Sequence, residues 1–361
     1  MKVGIVTQPL LNNYGGVLQN FAMHTILRRL GHEPITIDYT ITMSRGRLVK
    51  VWLRNLLYNL FHSTKRPLPN SRIVKSRKPH FANFVEKNIA TTQAVDGYSA
   101  KLISEYGLEA VIVGSDQVWR PRYNRGVLTN MFLDFVENRG DIKKIAYAAS
   151  FGVDHWEYKP RKAKLCSKLA KRIEHISVRE ESGVTLCRSY LGVNATEVLD
   201  PTLLLTADDY RTVCASITKS KERYLAAYIL DPTPEKIALI EREAKQRGVV
   251  AQIFGADKEA DLSVEEWLAM FRDAEYVLTD SFHGCVFSTI FRREFAVMIN
   301  RNRGASRFVS LLGKFNLLDR TIIDVERAKV PTDPIKWQNV EQGLQSWQER
   351  SLNFLKQALC R

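Results

Sequence analysis

The stretch "YVLTDSFHGCVFSTIF", residues 276–291, sets a carboxylate (Asp280), a hydroxyl (Ser281) and an imidazole (His283) between two apolar runs. Imidazole exchanges protons near neutral pH, so His283 is the strongest candidate for acid or base work. Asp280 and Ser281 stand close enough in sequence to converge on the same ligand. Four other stretches also close an apolar run with polar residues. "NNYGGV" places Asn13, Gly15 and Gly16 where backbone N–H groups can cradle an anion, or where paired glycines merely turn the chain. "VGSDQVW" offers Ser115, Asp116 as a base or as a helix N-cap, and Trp119 as a stacking wall for a sugar. "SVREES" puts Arg179 at a strand end, suited either to a carboxylate or phosphate ligand or to a salt bridge with a residue such as Asp200. "NRNRGASRF" carries Arg301, Arg303 and Arg307, which would grip a multiply charged ligand or form a solvated basic loop. No H-E-x-x-H or D-x-D-x-D-G spacing competes, so neither a metal nor a cofactor is expected.

The elements that must position these residues follow from periodicity. Short apolar runs, "KVGIVT", "EPITIDY", "EAVIVG", "KKIAYAAS", "EHISV" and "TEVL", alternate with helical spacing such as Leu18, Phe21, Ala22, Ile26 and Leu30. After "DPTLLLTADDY" a second alternation starts at "RYLAAYIL" and continues through "VVAQIFG", "EYVLTD" and "EFAVMIN". The pattern predicts an α/β chain of two Rossmann-like units, residues 1–199 and 200–330, with a helical tail over 331–361 that packs back on the first unit. In open parallel sheets ligands bind outside the carboxyl ends of the strands, which is where the five polar stretches fall.

Composition narrows the partners. The 361 residues are 45% hydrophobic and 25% charged, as in a globular protein. No apolar run reaches the roughly 18 residues of a membrane span, and the first residues read as a strand, so a cytoplasmic protein is expected. Five cysteines without C-x-x-C spacing read as reduced thiols. Lys and Arg number 53 against 39 Asp and Glu, a net charge of +14 that calls for an anionic partner. Between about residues 45 and 87 eleven Lys and Arg face only Glu86, interleaved with Val51, Trp52, Leu53, Leu56, Leu57, Leu60 and Phe61. This reads as a basic amphipathic insertion. It carries no RNA- or DNA-binding motif, so nucleic acid is not an expected partner.

Taken in order, "NNYGGVLQNFAMHTILRRLGHE", "VIVGSDQVW", "ISVREESGV", "VLDPTLLLTADDY" and "TDSFHG" resemble the polysaccharide pyruvyl transferase family, from Lys2 to about Leu317 with the basic insertion left out. The resemblance implies a fold similar to glycosyltransferase type B, with the site in the cleft between two Rossmann-like domains. It implies transfer of the pyruvyl group of phosphoenolpyruvate to a hexose as a cyclic ketal, the acceptor being lipid-linked or nucleotide-linked, and phosphoenolpyruvate serving as a donor substrate. His283 then becomes acid or base, and Asp280 and Asp116 orient or deprotonate the acceptor. Arg179, Arg301, Arg303 and Arg307 hold the donor's carboxylate and phosphate, assisted by the backbone at Gly15 and Gly16. Many relatives carry arginine two residues before the histidine; this chain has Ser281, which implies that either the clamp or the donor differs. The basic insertion would touch anionic lipid or the diphosphate of a polyprenyl carrier at the inner face of the membrane, or else form a solvated lid. The alternative activity is that of a glycosyltransferase of the same fold using a nucleotide sugar.

Overall fold

A computed structural model describes residues 1–360 apart from 44, 63, 70–72, 74–75, 137–140, 256–261 and 300–303. Two parallel sheets organise the chain. The first runs in the order β2-β1-β3-β4-β5-β6, from β1 (Lys2–Val6), β2 (Glu33–Thr36), β3 (Ala110–Gly114), β4 (Lys143–Ala149), β5 (His175–Val178) and β6 (Thr196–Glu197). The second runs β11-β10-β9-β7-β8, from β7 (Tyr224–Ile229), β8 (Val250–Gly255), β9 (Tyr276–Thr279), β10 (Glu294–Met298) and β11 (Thr321–Ile322). β3, β7 and β9 are buried throughout, as strands covered by helices on both faces must be. Two sheets of this kind with a cleft between them form a glycosyltransferase type B-like arrangement.

The connections explain where the cleft lies. From β1 the chain turns to β2 on one side and later returns to β3 on the other; β7, β8 and β9 repeat the manoeuvre in the second sheet. Each reversal leaves a crevice at the carboxyl ends of the two strands that flank it, where a ligand finds helix N-termini and free loop backbone. The β3 end is crowded. A Cβ at Gly114, whose φ is +151°, would sit 1.9 Å from the Tyr147 carbonyl oxygen of β4, so only glycine fits.

One core cluster joins the two units, running from Val3, Ile5 and Val17 through Leu203 and Tyr210 to Trp267, Val277, Phe287 and Phe291. Tyr14 bridges them at the back of the cleft: its ring stacks on Trp267 at 5.2 Å and its hydroxyl donates to the Leu262 carbonyl at 2.6 Å. The helix Trp337–Leu359 touches both units: Ser351 Oγ accepts from the Leu199 N–H at 2.9 Å and Phe354 meets Tyr147 of β4, while Gln348 donates to the Leu203 carbonyl at 2.6 Å and Glu341 pairs with Arg292. The basic segment forms the helix Arg45–Phe61, but its last residues do not share that character. Pro79–Asn88 is a second helix whose Phe81, Phe84 and Val85 enter the core. The described residues include no helix long and apolar enough to cross a membrane.

Candidate active site

A cleft of about 440 Å³ opens where the two strand crossings face each other. From the first unit come Gln8 to Gly15 after β1 and Asp116–Gln117 after β3; from the second come Leu230 after β7 and Asp280–His283 after β9, with Arg307 at the edge.

His283 stands in the first turn of the helix Phe282–Ile290, which Ser281 caps by accepting the Gly284 N–H at 3.4 Å. Its imidazole is gripped from across the cleft. A Cβ at Gly15 would lie 2.0 Å from Nδ1, so the ring rests directly on the Gly15 backbone, at the start of the helix Tyr14–Arg29. Nε2 faces Asp200 Oδ2 at 3.8 Å and has no hydrogen-bond partner among the described residues. This nitrogen thus stands near a carboxylate without being hydrogen-bonded to it.

Asp200 is itself the centre of a buried network. Arg179 Nη1 donates to its Oδ2 at 2.7 Å, the Thr202 hydroxyl to its Oδ1 at 2.7 Å, and the Gln19 amide also donates to Oδ2. Burial alone would raise the Asp200 carboxyl; His283, Arg179 and Thr202 outweigh it and hold it far below the usual carboxylate range. Burial also works against the Arg179 charge, but Glu180, Asp200 and Asp116 more than compensate and keep its pKa above the ordinary value.

Arg179 therefore takes the salt-bridge alternative rather than that of an open donor clamp. Its guanidinium lies behind the Phe282 ring, 4.4 Å from the centroid, and only 3% of the residue is exposed. Arg307 does reach the cleft, 5.8 Å from the same ring, and burial together with repulsion from Arg179 brings its pKa down to about 10. Arg301 and Arg303 lie outside the described residues.

Asp116 has φ +65°, a conformation that an aspartate tolerates better than most side chains. Its carbonyl accepts the N–H groups of Val118 at 2.8 Å and Ser150 at 3.0 Å, which fixes the loop. Among the described residues its side chain receives a 3.4 Å hydrogen bond from Asn13 and a 3.8 Å ion contact from Arg179. This carboxylate remains presented to the cleft.

Four expected ligand residues are placed differently. Trp119 is no stacking wall: it is fully buried, lies parallel to Phe132 at 4.8 Å and donates its indole N–H to the Met131 carbonyl at 2.8 Å. Ser115 is interior, accepting from Gln19 at 3.2 Å and donating to the Ala148 carbonyl at 3.2 Å, so it supports Asp200 from behind. Gly16 is buried as the third residue of the helix, and a Cβ there would lie 3.3 Å from the Asn13 amide. Asp280 is not available as a base. Its carboxylate accepts the N–H groups of Leu230 at 2.6 Å and Asp231 at 3.0 Å and pairs with Lys236 Nζ at 2.6 Å, stapling the β7 loop to the β9 loop.

Sequence reading passed over Gln19, Lys236, Phe282 and the cleft-lining Gln8, Gln117, Tyr123 and Tyr228. Gln19 carried a usable signal, one helical turn after Gly15 on the same face. Tyr228 and Lys236 did not, because their neighbours come from other strands. Among the described residues no group of His, Cys, Asp and Glu is arranged to hold a metal ion.

The family model for polysaccharide pyruvyl transferase matches residues 13–302. The chain belongs to that family. The matched span includes Asn13, Gly15, Asp116, Arg179, Asp200 and His283, so most of the cleft of this pyruvyl transferase relative lies in family sequence, while Gln8 to Asn12 and Arg307 fall outside the match. No curated protein matches the chain. Among solved structures it is similar to the UDP-GlcNAc 2-epimerase of Methanocaldococcus jannaschii, with 11% identity over 99% of this chain and 100% of that one at a TM-score of 0.48. The Neisseria meningitidis UDP-GlcNAc 2-epimerase shares 9% identity over 100% of this chain and 95% of its own, TM-score 0.47. The Escherichia coli ADP-heptose LPS heptosyltransferase II shares 11% over 97% and 99%, TM-score 0.40.

Proposed function

We propose that the protein moves the pyruvyl group of phosphoenolpyruvate onto a hexose of a lipid-linked or nucleotide-linked polysaccharide precursor, closing a cyclic ketal and releasing phosphate. The observation that carries the reading is His283, which lines the cleft and turns Nε2, without a hydrogen bond among the described residues, toward a deeply buried Asp200.

The chemistry needs an acid, a base and an anion clamp. His283 protonates C3 of the enol, which makes C2 electrophilic, and one sugar hydroxyl adds there. The bond from C2 to the phosphate oxygen breaks and the second hydroxyl closes the ring. Two hydroxyl protons are lost: one restores the acid that protonated C3, the other leaves with phosphate. Asp116, presented beside Asn13, receives a hydroxyl proton. Asp200 steadies the imidazolium while it is charged. Arg307 and the N-terminus of the Tyr14–Arg29 helix attract the donor's phosphate and carboxylate, since unpaired N–H groups and a helix dipole favour anions.

The test is to incubate the protein with phosphoenolpyruvate and galactose-, mannose- and glucose-bearing acceptors, both nucleotide-linked and lipid-linked. Phosphate release with a product heavier by one pyruvyl ketal is expected. Nucleoside diphosphate released from a nucleotide sugar, with phosphoenolpyruvate untouched, would hand the cleft to glycosyl transfer.

A further inference from the structure

The helix Arg45–Phe61 buries only Asn55 of its 17 residues. Val49, Trp52, Leu53, Leu56 and Leu60 recur at i, i+3, i+4, i+7 and i+11, which places them on one face. That face is open: Val49 is 54% exposed, Leu53 47% and Leu60 68%, with Leu57 and Phe61 also exposed. Such a stripe has no business in water unless something covers it. Lys50 and Arg54 flank it, both exposed. From residue 45 to residue 85 the sequence has ten Lys and Arg and no Asp or Glu, so no neighbouring carboxylate in the segment neutralises the face.

Described residues on either side of the helix are tied to one another and to the rim of the cleft. Asn59 binds the Arg66 backbone through its N–H at 2.6 Å and carbonyl at 2.8 Å, and the Arg66 guanidinium lies 3.6 Å over the Tyr58 ring. On one side the chain leaves from Ile41, which lines the cleft. On the other, Arg77 donates to the Leu10 carbonyl at 2.6 Å and pairs with Asp38 at 2.7 Å, beside cleft-lining Leu11.

We propose that the helix Arg45–Phe61 lays its apolar face into an anionic membrane surface beside the mouth of the cleft. An apolar stripe bordered by lysine and arginine matches the acyl–headgroup boundary, where apolar burial and attraction to anionic lipid add. A second copy of this chain would bring the same positive face and repel it. The inference rests on the proposed reaction only for its purpose, presenting a lipid-linked acceptor to the site.

Full-length protein is floated with phosphatidylcholine vesicles with and without phosphatidylglycerol. The expected result is flotation with phosphatidylglycerol at low salt, weakened as salt rises, and none with phosphatidylcholine alone. A Trp52→Ser, Leu53→Ser, Leu60→Ser variant loses flotation with its charge intact, and a Lys50→Glu, Arg54→Glu variant loses it with the stripe intact. Absence of wild-type flotation overturns the proposal, as does flotation of the apolar variant equal to wild type. So does a wild-type dimer that the apolar variant splits. Phosphate release with a water-soluble acceptor, read on every variant, reports folding and the reaction separately from docking.

Discussion

Ser115–Asp116 after β3 and Asp280–Ser281 after β9 occupy corresponding places in the two sheets, each following the strand beyond a crossing. Their carboxylates have opposite fates. Asp280 is saturated by two backbone N–H groups and Lys236, none farther than 3.0 Å, whereas among the described residues Asp116 has no side-chain contact shorter than the 3.4 Å bond from Asn13. The second unit thus uses its aspartate to fasten two loops and presents His283 in its place. In the first, the loop is fastened by the Asp116 carbonyl and the carboxylate is left over for the cleft. Equivalent positions in repeated architecture can therefore hold the same residue for different reasons, and the hydrogen-bond partners tell them apart.

That contrast can be broken by mutation. His283→Gln should lower turnover by about 10²–10⁴-fold, the usual worth of a positioned acid or base, with the melting temperature retained. A variant with wild-type turnover removes His283 from the chemistry. Asp280→Asn leaves the Lys236 ammonium buried without its carboxylate and should cost about 3–5 kcal/mol of stability by urea unfolding. Asp116→Asn should do the reverse, lowering turnover with a smaller loss of stability than Asp280→Asn, since among the described residues the Asp116 carboxylate is held by a 3.4 Å hydrogen bond and a 3.8 Å ion contact alone. If the two variants trade places, the division between fastening and chemistry is wrong.

Gly15→Ala sharpens the same comparison from the opposite wall. Its methyl would occupy the space of the imidazole, so His283 must move and kcat should fall more than the affinity for phosphoenolpyruvate. Equal kcat would show that the ring need not rest on Gly15.

A smaller effect concerns pH. His24 is buried against Thr36 at 2.8 Å, and burial, helped by Arg28, lowers its pKa to about 3. In the unfolded chain it titrates near 6.5. Between these values the unfolded state binds the extra proton, so this contribution to stability is complete above about pH 6.5 and falls by about 1.4 kcal/mol per pH unit below it. His24→Asn should flatten the decline in urea midpoint between neutral pH and pH 4; an unchanged slope would assign the acid sensitivity elsewhere.

Much of this arrangement was written in local patterns. The alternation of apolar runs and helical spacing is legible because parallel strands buried on both faces must be apolar throughout, and their polar ends therefore stand out. What stayed hidden depends on partners remote in sequence. Nothing around Trp119 announces that Phe132 and Met131 enclose it, and nothing around Asp280 announces the loop after β7. Arg179 was legible as a choice between a ligand and a carboxylate such as Asp200, and only geometry chose the carboxylate. "TEVL" promised a strand to Leu199, but pairing covers only Thr196–Glu197 at the sheet edge, and the two-residue β11 is too short to leave a periodic signal.

The central claim is that a pyruvyl group is transferred through protonation of the enol carbon. It is tested most directly by running the reaction with phosphoenolpyruvate and an accepted sugar in deuterium oxide and measuring the product by mass spectrometry. The account predicts a ketal whose methyl group carries a single deuterium taken from solvent through the enzyme's acid. A ketal methyl without solvent deuterium, or phosphate release with no ketal at all, would contradict it.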